Sequence, residues 1–518
     1  MATNDKYDRQ LRLWGAKGQR ALGDTCVVLV GGTAAGTETL KNLVLPGIGS
    51  FCVIDDVLVT KEDVASNFFV VAATTTDIAK KSRAQVACEH LQELNPDVLG
   101  AFQHVPKLLD INDDWKDILF QATNGRTKLL VISSDLDPQV LESLSASCST
   151  LQLPLVMVQS YGLMGCVKLQ LSGNVPLLDP KPANAPPDLR LKTSFPALDD
   201  FCQTIDLATL ESHEHGHVPY PIILLKAIAA WRANDSRSGG GQDPKTFPEK
   251  NEFKDTIRKM SRDIHKEVNF EEAIQYAYLA YTEREVILPE DLLSTNDDDD
   301  DTTSTSILAK LFKALDAFRS KHDGRLPLNG AIPDMTASTQ HYVKLQSIYK
   351  TQAEQDLQAM KDLCSKDGIP EEDIKSFCAN VFSVTQMSTR SLVEELSTQP
   401  DEEIMDDLKM NLMDPYEVEV HTPLLWYLGL RACHSFFKHN GRYPGSMKDG
   451  EDWETDASLL EEEYQAVALH YGLADEALVQ SSRADICHEM TRYANAELHN
   501  VASVVGGVAS QEAVKIIT

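Results

Sequence analysis

The residues best suited to chemistry stand near the start of the chain. Gly31-Gly32-Thr33-Ala34-Ala35-Gly36 follows the apolar run Cys26-Val27-Val28-Leu29-Val30 and precedes a helical pattern with Leu40, Leu43 and Val44 on one stripe. A strand, a glycine-rich turn and a helix start together make a phosphate cradle, because backbone N–H groups and the helix dipole face the anion. The pattern wants glycine at its first, third and sixth places. The first and sixth are Gly31 and Gly36, but the third is Thr33, whose Cβ stands where phosphate would approach the backbone. Asp55 closes the next apolar run, Phe51-Cys52-Val53-Ile54, in the position of a ribose-binding acid. Two readings follow: a nucleotide site with a damaged phosphate seat, or a degenerate Rossmann-like domain that no longer binds nucleotide. The threonine favours the second.

Other stretches imitate functional patterns. His213-Glu214-His215-Gly216-His217 satisfies H-E-x-x-H, in which two histidines one helical turn apart hold zinc and the glutamate activates water. That chemistry needs a continuous helix, whereas Gly216, Pro219 and Pro221 argue for a polar loop. Asp297 to Asp301 is an unbroken acidic run without the alternation or glycine of a calcium loop, and reads as a solvated segment. The 10 cysteines include no Cys-x-x-Cys pair, which disfavours a zinc ribbon or a redox dithiol.

These residues must be positioned by alternating strands and helices. After the runs at 26–30 and 51–54 come a helical stripe of Ala84, Ala87, Leu91 and Leu94, then the apolar runs Leu129–Ile132 and Leu155–Val158. Short, wholly apolar strands alternating with helices predict a doubly wound α/β domain. Beyond Pro176 the texture becomes helical, with His341 to Cys364 as one long helix. The pattern predicts an N-terminal part over 1–175, a mainly helical insertion over 176–480 with flexible loops near 236–244 and 295–305, and a C-terminal return over 481–518. Gly506-Gly507, inside the last helical pattern, predicts close packing of that helix against the sheet.

The chain has 518 residues, with 48 Lys+Arg against 78 Asp+Glu and a formal net charge of -30. Such a surface repels phosphate, arguing against nucleic acid or an anionic membrane as partner. No apolar stretch approaches the roughly 20 residues of a membrane helix, and the N-terminus lacks a signal-peptide pattern; a cytoplasmic or nuclear location is expected.

Tyr7-Asp8-Arg9-Gln10 resembles the opening of ubiquitin-like-modifier activating enzymes, which share a ThiF/MoeB-type adenylation fold. Asn42–Gly49, Ser160–Leu163, Gly324-Arg325-Leu326-Pro327, Ile332-Pro333-Asp334-Met335, Gly441-Arg442-Tyr443-Pro444-Gly445 and Val505–Glu512 extend the match along the whole chain. Together they resemble the regulatory, non-catalytic subunits of the neddylation activating enzyme. The resemblance implies an inactive adenylation half split by a helical insertion. In active relatives an arginine stands near the segment that here reads Ser66-Asn67-Phe68-Phe69-Val70, and companions follow a magnesium-binding aspartate; here Asp135 is followed by Leu136 and Val140 instead. None of the cysteines has the context of the thioester-forming one; Cys364 and Cys378 fit packing positions.

The resemblance implies a heterodimer with a catalytic subunit, which would hold ATP and magnesium, adenylate a ubiquitin-like modifier and pass it to a conjugating enzyme. No cofactor is implied on this chain. Arg9 would act in trans at the γ-phosphate of the partner's ATP, the alternative being a surface salt bridge. Ile332, Pro333, Asp334, Met335 and Tyr342 would form a partner contact, the alternative being packing within the chain. The regulatory subunit of the sumoylation enzyme, a nucleotide-dependent oxidoreductase and a pure scaffold are the competing readings. Relatives of this kind continue beyond the final Lys515-Ile516-Ile517-Thr518 into a closing strand, so the expectation is either a sequence cut short or a sheet without that strand.

Overall fold

Strand β1 (Thr25–Val30) is buried along its whole length, as its unbroken apolar sequence requires of a central strand. Alternate side chains serve two cores: Val27 and Leu29 join one, and Cys26, Val28 and Val30 join the other. The computed structural model describes residues 6–70, 81–111, 115–123, 125–126, 128–178, 188–233, 242–282, 307–412, 422–446 and 452–518. The aspartate run 297–301 and the whole loop expected at 295–305 lie outside them, as does most of the loop expected at 236–244.

β1 pairs in parallel with β2 (Ser50–Asp55) and β4 (Lys128–Ser134), which are flanked by β3 (Leu99–His104) and β5 (Leu155–Tyr161). An antiparallel β6 (Met164–Gln170) completes the order β3-β2-β1-β4-β5-β6. This is the doubly wound arrangement expected, with its topological switch between β1 and β4, where such folds place their ligands. Helix α1 (Asp8–Asp24) leads into β1, α2 (Ala34–Val44) follows the glycine loop, and α3 (Arg83–Leu94) carries the predicted stripe.

Residues Asn174–Met387 form a separate compact unit. Its core gathers Tyr220 to Trp231 with Phe253, Phe270, Leu345 and Tyr349. Its long helix α4 (Thr339–Leu363) matches the predicted one, with Leu345, Tyr349 and Met360 buried.

The other unit combines Met1–Gly173 with Ser388–Thr518, so the return begins at 388 rather than at the expected 481. Helices α5 (Pro423–Asn440), α6 (Trp453–His470) and α7 (Ala477–Tyr493) pack around Tyr161 at the end of β5. Amphipathic stripes announce helices without saying which core receives them, and this placed the boundary too late. The last helix, α8 (His499–Ile517), lies along α2. Gly506 faces α2 rather than the sheet, since a Cβ there would stand 2.8 Å from Glu38 Cβ, while Gly507 faces open space. The sheet is approached elsewhere, where Val505 fits over Gly165. Among the described residues no helix is long and apolar enough to cross a membrane.

Candidate functional site

The glycine loop joins β1 to α2 at the sheet's switch point. Gly31 has φ +90°, and a Cβ on it would lie 2.2 Å from the Ser134 carbonyl oxygen, so only glycine lets β1 and β4 close there. Gly36 presses against β1, its Cβ position being 2.8 Å from a Leu29 methyl. Both glycines therefore survive on packing grounds. Thr33 is the N-cap of α2, accepting from Gly36 N–H at 3.5 Å and meeting Ser134 Oγ at 2.7 Å.

The N–H groups that would receive a phosphate are already engaged. Glu497 reaches back from just before α8 and accepts from Ala34 N–H (2.9 Å) and Ala35 N–H (2.7 Å), one through each carboxylate oxygen. A carboxylate at a helix N-terminus gains from the orphan N–H groups and from the dipole, as phosphate does. Asp135 stands beside it at positive φ (47°), accepting from Ser160 N–H at 3.0 Å. Removal from water, then the neighbouring Glu497 charge, push the Asp135 carboxyl well above the usual carboxylate range.

The ribose-binding position is consumed in the same way. Asp55 accepts from Gly32 N–H (2.6 Å), Val57 N–H (2.9 Å) and Arg83 Nε (2.7 Å). Arg83 also donates to Asp63 at 3.0 Å. Burial works against the Arg83 charge, and the two carboxylates more than offset it, raising its pKa. Asn67 donates to the Gly32 carbonyl (3.1 Å) and accepts from Thr37 Oγ1 (3.0 Å), pinning the loop from the third side. The residues of this chain do not fit a nucleotide: its own carboxylates and arginine fill the contacts a nucleotide would make. Thr33 was the only obstruction legible in the sequence. Glu497 and Arg83 carried no signal, because neither belongs to a local motif.

Arg9 lies exposed on α1, with no ion pair among the described residues. The segment itself is anchored: Asn95 donates to Tyr7 Oη (3.2 Å), and Lys6 reaches Asn95 and Asp97, each at 2.7 Å. Tyr7 packs on Gly47, whose φ of +90° and missing Cβ leave room for the ring. The opening motif and the Leu-Pro-Gly-Ile-Gly motif thus meet, holding the helix that displays Arg9.

In the other unit, Ile332 and Met335 pack against their own core, Pro333 and Tyr342 are half-buried, and Asp334 is exposed. The H-E-x-x-H stretch forms only one turn, Ser212–His215. His215 turns inward to Glu267 (2.6 Å), while His213 and His217 stack with ring centres 4.4 Å apart. This is a buried His–Glu structural pair beside a stacked surface pair. All ten cysteines are unpaired. Burial pushes each thiol up, Cys378 to about 12, which leaves little thiolate for nucleophilic attack.

Comparison with known proteins accords with this geometry. The ThiF family model matches residues 7–518. The chain belongs to the ThiF family. Within it, the chain is 37% identical to the NEDD8-activating enzyme E1 regulatory subunit of Xenopus laevis over 533 aligned residues, covering 99% of this chain and 94% of that protein. It is 35% identical to the NEDD8-activating enzyme E1 regulatory subunit of Gallus gallus, covering 99% and 93%. It is 34% identical to the NEDD8-activating enzyme E1 regulatory subunit AXR1 of Arabidopsis thaliana, covering 99% and 92%. This ThiF member therefore groups with regulatory subunits of the neddylation pathway, as its motifs implied, and the sumoylation alternative is not supported.

Proposed function

We propose that this ThiF chain is the non-catalytic half of a heterodimeric activating enzyme. Its catalytic partner would use ATP and magnesium to adenylate a ubiquitin-like modifier, hold it as a thioester and deliver it to a conjugating enzyme. The observation that carries this reading is the Glu497 carboxylate on the Ala34 and Ala35 N–H groups, where an adenylating half needs phosphate. The saturated Asp55 and the mostly buried thiols, whose pKa values burial raises, agree with it: neither adenylation nor thioester formation is served by this chain's own groups.

What the chain would contribute is half of a pseudo-symmetric core, Arg9 offered in trans, and surface for assembly. Val504 (68% exposed) and Val508 (50% exposed) form an outward apolar stripe on α8. A groove beside it is lined by Leu13, Trp14, Pro46, Gly507 and Val514. An apolar stripe of this size beside the N-terminal helix suits the large interface of a permanent heterodimer. The exposed side of the 332–342 segment would add a further contact. The cytoplasm or nucleus is the location this reading expects.

Co-purification with candidate catalytic subunits, followed by ATP–pyrophosphate exchange, tests the reading. Exchange is expected from one complex with added modifier and from neither subunit alone. Exchange by this chain alone would overturn the assignment.

A further inference from the structure

A buried charge in the first unit lacks a counter-charge among the described residues. Arg431, on the α5 helix, is only 7% exposed. Its guanidinium donates to Nδ1 of His434 at 2.9 Å, and its Nε has no hydrogen-bond partner. Among the described residues no carboxylate lies within ion-pair distance of it. Burying a guanidinium without an anion is costly, and arginine cannot escape by losing its proton.

The neighbouring groups do not supply the missing charge. His434 is held neutral, its pKa pushed well below the usual imidazole range by burial, then by Arg431 and Lys438. The Lys168 ammonium is paired with Glu395, whose carboxylate also accepts from the Tyr427 and Tyr471 hydroxyls. Asp135 makes no ion pair with Arg431 and is engaged instead by Ser160 N–H and Thr33 Oγ1. Among the described residues Glu395 is thus engaged by Lys168, and Arg431 is left without a counter-charge.

Beside these groups lies a cavity of about 30 Å³, lined by Asp135, Gln159, Lys168, Tyr427, Arg431 and His434. One water needs roughly 10–15 Å³ on this measure, so the space exceeds a single water and is too small for phosphate or nucleotide. We propose that this cavity binds a small monovalent anion, chloride being the physiological candidate, as the counter-ion of Arg431. Seated there it would tie the ends of β4 and β5 to α5, joining the N-terminal sheet to the C-terminal return. The proposal is independent of the function assigned to the half-site above.

The direct test is crystallisation of the full chain, alone or in its complex, with bromide replacing chloride. An anomalous peak beside Arg431 is expected, and a cavity holding only water would overturn the proposal. In solution, thermal stability is compared in potassium chloride and potassium gluconate at equal ionic strength. The wild type should melt a few degrees higher in chloride. Arg431→Met, which fills the space without a charge, should melt at the same temperature in both salts. An increment that persists in Arg431→Met would overturn the assignment of the site. If that variant fails to fold, the bromide peak in the wild type decides.

Discussion

Asp135 and Glu497 bring two carboxyl groups together at the mouth of the glycine loop, where burial and then the Glu497 charge raise the Asp135 pKa. Glu497 is received by two helix N–H groups. Asp135, its pKa raised, stands beside it at the place where an active half would hold magnesium. The damaged phosphate seat is therefore a filled one, satisfied from within the chain.

Removing Glu497 should expose this arrangement. Glu497→Ala loses two charge-assisted hydrogen bonds and should cost about 1–3 kcal/mol. The freed N–H groups should then accept an external anion. Inorganic pyrophosphate at millimolar concentration should raise the melting temperature of Glu497→Ala and leave the wild type unchanged. Equal responses of the two proteins would show that Glu497 does not occupy the anion seat.

Asp135 gives a prediction in pH. A carboxyl whose folded pKa is raised binds its proton more tightly in the native state, so its stabilising effect is present at low pH. That effect is lost as pH rises from the unfolded value of about 3.9 through the raised folded value. Asp135→Asn keeps an acceptor for Ser160 N–H and a donor toward Glu497 without this loss. Melting curves between pH 4 and 8 should show the variant gaining on the wild type as pH rises. A variant that loses ground toward pH 8 would mean that a charged Asp135 is the stabilising form.

Among the described residues Arg83 is the sole cation serving two largely buried acids, the Asp55 side chain being 0% and the Asp63 side chain 9% exposed. Arg83→Met should destabilise by about 3–5 kcal/mol, because both carboxylates remain behind unpaired. Urea titration would measure it, and a cost below about 1 kcal/mol would mean that water replaces the guanidinium readily. Asp55→Asn in the Arg83→Met background should recover part of the loss.

Arg9 should behave in the opposite manner. Exposed, and without an ion pair among the described residues, it should contribute within about 0.5 kcal/mol to the stability of the chain. In the reconstituted heterodimer, Arg9→Ala should slow modifier adenylation by about 10²-fold, the scale of a lost transition-state charge contact, with little change in subunit affinity. Unchanged pyrophosphate exchange would retire the role in trans.

The stripe on α8 separates assembly from folding. Val504→Asp should leave the melting temperature of the isolated chain within a degree or two, since the side chain already faces water. The same change should weaken co-purification with the catalytic subunit by at least tenfold. Intact assembly would move the interface elsewhere, and Tyr342→Ala would test the 332–342 segment next.

The strands, the glycine loop and the long helix at 339–363 were legible along the chain because each is a local pattern. Apolar runs announce buried strands, Gly31 and Gly36 announce tight approach, and a stripe of Leu345, Tyr349 and Met360 announces a helix. Thr33 likewise announced that the phosphate pattern was broken. What replaced the phosphate could not be read there, because Glu497 and Ala34 are separated by 463 residues and meet only when α8 lies along α2. The same holds for Arg83 with Asp55, for the helices that gather on Tyr161, and for Arg431 left without a counter-charge. Periodicity records which face of an element avoids water; only the tertiary structure decides which distant charge or side chain that face meets.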